Sequence, residues 1–423
     1  MALPSAPNAF FEMLTHNLET AEDTPKRGCN LKKVANETFL GLLFGYLVKK
    51  CYLCSQISSK KIMVAKEKLQ QFYEKWQSMQ PLHEDDQRRL SIRFSLDFNY
   101  NSNHIEGNTL TYGQTELLLL FGQVVQGAKM KDLEEMKASD VGLKMMQEEA
   151  KVKDYPLTET FIRQLHKTLL REDYEEYRNL PGAAVTSFTI HAGRYKTRPN
   201  SVITRYGDRF DYASPEETPA LMSDLVHWYN EEEQRGEMHP VDLAILFHYR
   251  YIRIHPFEDG NGRIARLLVN YILSRHDYPM IVVRSRKKQA YLEALHRADL
   301  KVGKAPSDGA QAGLDDIKPF RDFFVQLVAD EIAGYITFLT QRGDNLWWYD
   351  GETVTFNSPT VSSILRELTY NPAIKPAELS EIVGVSRVAV TKTLQQLTEK
   401  GYVLQDKNEE SNTWHVVITD LSR

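Results

Sequence analysis

The chain has 423 residues, 42% of them hydrophobic and 26% charged, and a formal net charge of -5. This is the make-up of a folded protein of two or three domains, and it excludes a bulk attraction to nucleic acid or to an anionic membrane. Three cysteines (Cys29, Cys51, Cys54) are too few for a disulfide framework, and no histidine cluster completes a zinc site. Reduced thiols in a cytoplasmic chain are therefore expected.

Residues 1–62 fit the rest of the chain poorly and read as a poorly defined N-terminal extension. Their apolar stretch Phe39 to Val48 is far shorter than the roughly 20 residues of a membrane span, so no membrane partner is expected. From Met63 the pattern turns helical, with Leu69, Phe72, Tyr73 and Trp76 on one face. Further helices are expected over Glu84 to Tyr100, after Leu110 through TYGQTELLLLFGQV, and over 157–172, 215–232, 240–254 and 262–276. Pro215 and Pro240 suit first-turn positions, where a missing N–H costs nothing. Val185 to Tyr212 alternates Thr, Ile, Tyr, Val and Phe with polar residues around Gly193 and Gly207, which reads as a β-hairpin. Residues 302–315 read as a loop, and 342–357 as a linker with one or two extended pieces. From Ser358 to Arg423, two short helices, the turn Gly384-Val385-Ser386, a third helix and a hairpin form the pattern of a winged helix-turn-helix.

The stretch His255-Pro256-Phe257-Glu258-Asp259-Gly260-Asn261-Gly262-Arg263-Ile264-Ala265-Arg266 carries the chemistry. An apolar helix delivers a histidine to its C-terminal end, a loop with two glycines follows, and a new helix opens. Glycines admit a ligand close to the backbone, and a helix N-terminus offers free N–H groups to anionic oxygens. Arg263 and Arg266 can both reach a polyphosphate. Asp259 is a hard oxygen ligand for Mg²⁺, and His255 can accept a proton near neutral pH. Base, metal ligand, anion cradle and charge clamp together suit phosphoryl or nucleotidyl transfer.

This stretch resembles the Fic family signature H-x-F-x-[D/E]-G-N-G-R-x-x-R at every fixed position, and the likeness runs over residues 63–341. The resemblance implies a mainly α, all-helical core with a β-hairpin flap, ahead of the winged helix-turn-helix at 358–423. It implies a protein adenylyltransferase that moves AMP from ATP, with Mg²⁺, to a Ser, Thr or Tyr hydroxyl of a target protein or of itself. His255 takes the part of the base and Asp259 that of the metal ligand, while Glu258 falls on a variable position. Gly260, Asn261 and Gly262 would bind phosphates, Arg263 the β-phosphate side and Arg266 the γ-phosphate. Residues 193–215 match the flap that aligns the target, and Val202 on it joins the nucleotide-binding set. Tyr291 sits where related proteins place a ring against the adenine. Asp299 stands where they often have asparagine.

Upstream, Ser102-Asn103-His104-Ile105-Glu106-Gly107 resembles the family's inhibitory motif [S/T]-x-x-x-E-[G/N]. It implies that Glu106 competes with the γ-phosphate for Arg266. The same residues also read as a helix C-terminus capped by Gly107. Two other activities stay open on this reading: hydrolysis of AMP from a modified protein by a water that Glu106 positions, and a nucleotide-sensing DNA-binding regulator. Seven basic against eight acidic residues over 358–423 favour a protein contact, such as a homodimer, over DNA for the winged helix.

Overall fold

The computed structural model describes residues 65–124, 127–178, 186–203, 209–407 and 412–422, all within one compact unit, Ile62–Arg423. The N-terminal extension and its cysteines lie outside them. Helix α1 covers 65–78, followed by α2 (Glu84–Ile105), α3 (Tyr112–Phe121), α4 (Met130–Lys151) and α5 (Glu159–Leu170). Two antiparallel hairpins come next, β1 (Tyr174–Arg178) with β2 (Thr186–Ile190) and β3 (Ser201–Ile203) with β4 (Arg209–Asp211). Helices α6 (Thr218–Arg235), α7 (Pro240–Ile254), α8 (Asn261–Arg275), α9 (Lys288–Val302), α10 (Pro306–Ala310) and α11 (Lys318–Thr340) complete the first layer of the fold. The chain closes with β5 (Leu346–Tyr349), β6 (Glu352–Thr355), α12 (Pro359–Tyr370), α13 (Pro376–Val383), α14 (Arg387–Glu399), β7 (Val403–Lys407), β8 (Asn412–Val416) and β9 (Thr419–Asp420).

Local chemistry explains where these helices start. Glu84, Asp85 and Asp86 occupy the first turn of α2, where carboxylates oppose the positive end of the helix dipole. Thr111 and Gln114 form a reciprocal capping box at α3. Pro240 opens α7 at a position that needs no N–H. Pro215 does not play that part. It lies in a turn before α6, and Pro219 takes the first-turn position instead. On α1, Leu69 and Trp76 are buried and Phe72 and Tyr73 pack against the same core, as the spacing predicts.

The central pair is α7 against α8. Val241, Leu243, Ile245, Phe247, Tyr249 and Tyr251 on α7 are each at most 1% exposed, so α7 is buried all round, and its C-terminal residue is held as firmly as the core itself. Helix α11 is 23 residues long and apolar enough by length and composition to cross a membrane. In this fold it is a core helix: Phe320, Phe324, Val328 and Ile332 are buried, and its Glu331 is ion-paired to Arg284.

Two sequence expectations change, and a third is filled in. Val185 to Tyr212 is not one hairpin but the second strand of one and the whole of another, and strand β1 lies in a segment with no extended expectation. The intervening backbone pairs with the signature loop instead of a strand. Residues 302–315 include the short helix α10. Residues 342–357 hold two extended pieces, within the one or two expected, and β5 lies between β6 and β9 in a three-stranded sheet. Successive strand residues point to opposite faces. Trp347 therefore enters the core of the C-terminal module, with Ile364, Leu379 and Val390, while Trp348 enters the main core.

The C-terminal module has the winged helix-turn-helix order expected, with Gly384 left-handed at the end of α13 and Ser386 capping α14. It packs on α2 and α3 through Leu96, Tyr112 and Val417. Beside that contact, the guanidinium of Arg284 is 1% exposed. It meets Asp97 of α2 at 2.7 Å, Glu331 of α11 at 2.8 Å and Asp350, in the β5–β6 turn, at 3.0 Å.

Candidate active site

Helix α7 ends on His255, which adopts φ 51 and ψ 62. A residue with a Cβ in this left-handed region costs on the order of 1 kcal/mol or more, so its surroundings must hold it. They do so from three sides. The Lys196 ammonium caps the helix end through the carbonyls of Ile254 (3.1 Å) and His255 (2.9 Å). The Tyr212 ring stacks on the imidazole at 4.0 Å. The side-chain amides of Asn200 (2.8 Å) and Asn261 (3.1 Å) meet Nδ1. Burial, with the Lys196 charge nearby, pushes the imidazole down to about 3, against a smaller upward pull from Asp259. The ring is therefore neutral at physiological pH, as a proton acceptor must be.

The loop after His255 is closed by Asn261, whose amide exchanges two hydrogen bonds with the Phe257 backbone at 2.8 and 3.0 Å. Gly260, at φ 76, turns the chain into α8. The N-terminal N–H groups of α8 have no side-chain cap, which suits an anion. Arg263 and Arg266 rise one turn apart and are 5% and 3% exposed. Asp259 Oδ2 accepts from Tyr174 (2.9 Å) and pairs with Arg263 (3.2 Å). Burial raises the Asp259 carboxyl, but Arg263, the Gly260 N–H and Tyr174 outweigh it and hold it below the usual carboxylate range. Asp259 lines a cavity of about 550 Å³ that also borders Tyr174, Glu134 and Glu175. Among the described residues no group of three or more His, Cys, Asp or Glu could hold a metal by itself. One ionised carboxylate at a cavity wall fits Mg²⁺, which binds through one or two carboxylates and completes its shell with water and substrate phosphates.

Helix α2 brings Glu106 to this anion site. Its carboxylate lies 2.7 Å from the Arg266 guanidinium, and Ser102 supplies its hydroxyl (3.0 Å) and carbonyl (2.9 Å) to the same group. Gly262 admits the contact: a Cβ there would stand 2.4 Å from Glu106 Oε1. Gly107 follows at φ 103, so the helix stops where the carboxylate turns inward. Lys288 caps the carbonyl of Ile105 at 2.5 Å, a cation at a helix C-terminus.

Two residues not singled out by sequence reasoning join the flap segment to the signature. Glu258, on a variable position of the motif, accepts the backbone N–H of His191 (3.2 Å) and Thr197 (3.0 Å). His166 on α5 accepts the Gly193 N–H at Nδ1 (2.9 Å), so its Nε2–H donates to the Asp259 carbonyl (3.0 Å), and its ring stacks on Phe257 at 3.7 Å. A lone histidine on an amphipathic helix gives no sign of this. For Glu258, the surplus carboxylate beside Asp259 was a readable hint.

Tyr291 departs from expectation. Its ring is 2% exposed, its hydroxyl meets His248 Nε2 at 2.8 Å, and Phe320 and Phe323 pack around it. In this conformation it forms core behind Arg266, not an open face for an adenine. Asp299 is likewise committed, to Tyr249 (2.8 Å) and Arg253 (3.3 Å). Val202 pairs with Phe210 across the β3–β4 hairpin, and its side chain lies outside the described part of the chain.

Comparison with known proteins agrees with this arrangement. The Fic/DOC family pattern matches residues 156–273, and the MarR family pattern matches 358–409. The solved structure of a Fic-domain-containing signaling protein from Bacteroides thetaiotaomicron is 54% identical, with a TM-score of 0.59, and the match covers 64% of this chain and 96% of that one. The structure of Fic-1 from C. elegans is 26% identical, with a TM-score of 0.51, over 69% of this chain and 76% of that one. Protein adenylyltransferase fic-1 of Caenorhabditis elegans is 28% identical over 265 residues, 62% of this chain but 46% of the relative. The chain thus spans about half the length of the curated relatives it matches. With the family pattern matched over the signature loop and a relative 54% identical and covered almost end to end, this chain belongs to the Fic/DOC family.

Proposed function

We propose that the chain transfers AMP from ATP to a hydroxyl of a protein, and that Glu106 restrains the transfer. The observation that carries this reading is the Glu106 carboxylate on Arg266 at the open N-terminus of α8. A carboxylate held on a buried arginine beside the glycine that opens a helix stands in for a phosphate. The name of the matched C. elegans relative, a protein adenylyltransferase, supports the same chemistry.

The acceptor hydroxyl gives its proton to His255 as its oxygen bonds to the α-phosphorus. The bond from that phosphorus to the bridging oxygen breaks, and pyrophosphate leaves with the electron pair. Arg263 and Arg266 hold the β- and γ-phosphates, and Gly260 and Gly262 let the phosphates reach the backbone. Asp259 would hold Mg²⁺, which supplies neutralisation of phosphate charge when bound. The β3–β4 hairpin would take the target segment by strand pairing, and Lys196, Asn200 and Asn261 keep the base in place.

The test uses ATP labelled at the α-phosphate with the full chain and Mg²⁺. Label should pass to protein. His255→Ala should lower the rate by about 10²–10⁴-fold, the range for losing a general base, while ATP still binds. Near wild-type labelling by His255→Ala, or labelling unchanged in EDTA, would refute the assignment.

A further inference from the structure

Behind His255 lies a set of polar side chains whose arrangement decides more than position. Lys196 is 3% exposed. Its Nζ donates to three oxygens: the carbonyls of Ile254 and His255, and Asn200 Oδ1 at 2.8 Å. An ammonium has three donors and no acceptor, so all three are used and the Asn200 atom that faces it must be the oxygen. The Asn200 amide nitrogen then faces the other way, to the Phe257 carbonyl (3.0 Å) and His255 Nδ1 (2.8 Å). Asn261 is fixed in the same manner. Its oxygen receives the Phe257 N–H, so its nitrogen faces the Phe257 carbonyl and, at 3.1 Å, His255 Nδ1.

Two amide donors therefore converge on one ring nitrogen. That nitrogen can only accept, and a neutral imidazole carries its single proton on the other. We propose that Asn200, latched by Lys196, is a positioning residue that holds His255 as the Nε2–H tautomer, so that the resting site presents a donor instead of a base to the acceptor hydroxyl. This rests on the reading of His255 as the base. The converging donors also resist a second proton on the ring, in keeping with its depressed proton affinity.

The lone pair needed for transfer appears on Nε2 when Asn200 turns its amide. Its oxygen then accepts an Nδ1–H, water giving that proton and taking one from Nε2, while the Asn261 amide keeps its bond to the Phe257 carbonyl. No covalent bond to carbon or phosphorus changes. Asn200 directly precedes strand β3, and its carbonyl receives the Tyr212 N–H at 3.4 Å. A target segment pairing on that hairpin would pull on the residue that sets the tautomer, which links target docking to the appearance of the base.

The experiment is nitrogen-15 spectroscopy of the histidine rings in the full chain, with His255 assigned by the signal lost in His255→Ala. In the wild type, Nδ1 of His255 should show the signature of an unprotonated nitrogen and Nε2 that of a protonated one. Asn200→Asp places a carboxylate beside Nδ1 that can only accept, so the two signatures should exchange. In a Glu106→Gly background Asn200→Asp should also raise transfer about tenfold, a modest share of a general base's effect. A wild-type His255 protonated at Nδ1 overturns the proposal, and so does an exchanged tautomer with no gain in transfer. Should Asn200→Asp fail to fold, the wild-type spectrum alone decides. Transfer that survives His255→Ala would defeat the base assignment and leave the tautomer result to stand or fall by itself.

Discussion

Glu106 and Gly262 share one space: a Cβ on Gly262 would lie 2.4 Å from Glu106 Oε1 and 3.1 Å from the Arg266 guanidinium. The absent side chain at 262 is what lets the Glu106 carboxylate reach the α8 N-terminus, and on the proposed function it would admit a phosphate of ATP in the same way. Gly262→Ala should therefore weaken ATP binding by about tenfold or more, because phosphate approach depends on the bare backbone. Stability should change by less than about 1 kcal/mol, since alanine favours the helix and the Glu106 tip can swing aside. Calorimetric titration with ATP checks this, and an unchanged affinity would place the phosphates elsewhere.

The buried Arg284 network makes a separate prediction. Burial pushes the carboxyls of Glu331 and Asp350 up, and the Arg284 charge pulls both down. Arg284→Met removes the cation shared by Asp97, Glu331 and Asp350, and among the described residues only Asp350 keeps another ion pair, with Arg286 at 3.1 Å. Breaking a buried pair from one side costs about 3–5 kcal/mol, and urea denaturation should show a loss of that size. A loss under about 1 kcal/mol would mean that the network is not bearing the contact between the two modules. Asp350 also accepts from Asn101 at 2.8 Å, on the helix whose next residue, Ser102, begins the Glu106 motif, so loosening here should also disturb the Glu106 seat.

Acid should destabilise the protein through its buried histidines. Burial lowers His166 to about 4, against an upward pull from Asp259, and lowers His248 and His255 to about 3. A histidine lowered in the fold binds its proton more readily when unfolded. Its contribution is thus complete above the unfolded value of about 6.5 and is lost as pH falls from there toward the folded value. Melting temperatures should fall steadily below about pH 6.5. His166→Gln should flatten part of that fall, by on the order of 3 kcal/mol. A melting temperature constant between pH 7 and pH 4.5 would contradict it.

Much of this site could be read from the chain because its parts are adjacent in sequence. His255, Asp259, Asn261, Arg263 and Arg266 lie within a dozen residues, and their order on a helix end, a loop and a helix start follows from local rules. Glu106 was readable only through its motif; its seat on Arg266 is a contact across 160 positions. His166, Lys196 and Asn200 left no comparable trace, because their roles come from backbone groups that the fold brings to them. The extended pieces of the linker are legible, but not the two cores that Trp347 and Trp348 enter. A short strand with a core on each side has no polar face, so the sequence does not say which core each tryptophan enters. Tyr291 shows a different limit: its burial is set by Phe320 and Phe323, which lie on another helix.

The restraint by Glu106 is tested most directly by self-labelling with AMP. With the carboxylate on Arg266, a γ-phosphate must displace it or bind out of place, and an error of about 1 Å in aligning the α-phosphorus costs about 10²-fold. Initial rates of label transfer from α-labelled ATP should be compared for the wild type and Glu106→Gly at one Mg²⁺ concentration, with Glu106→Gly/His255→Ala as the blank. Glu106→Gly should label faster by about 10²-fold, and the blank should remain unlabelled. Equal rates for the wild type and Glu106→Gly, or a slower rate for Glu106→Gly, would contradict the restraint.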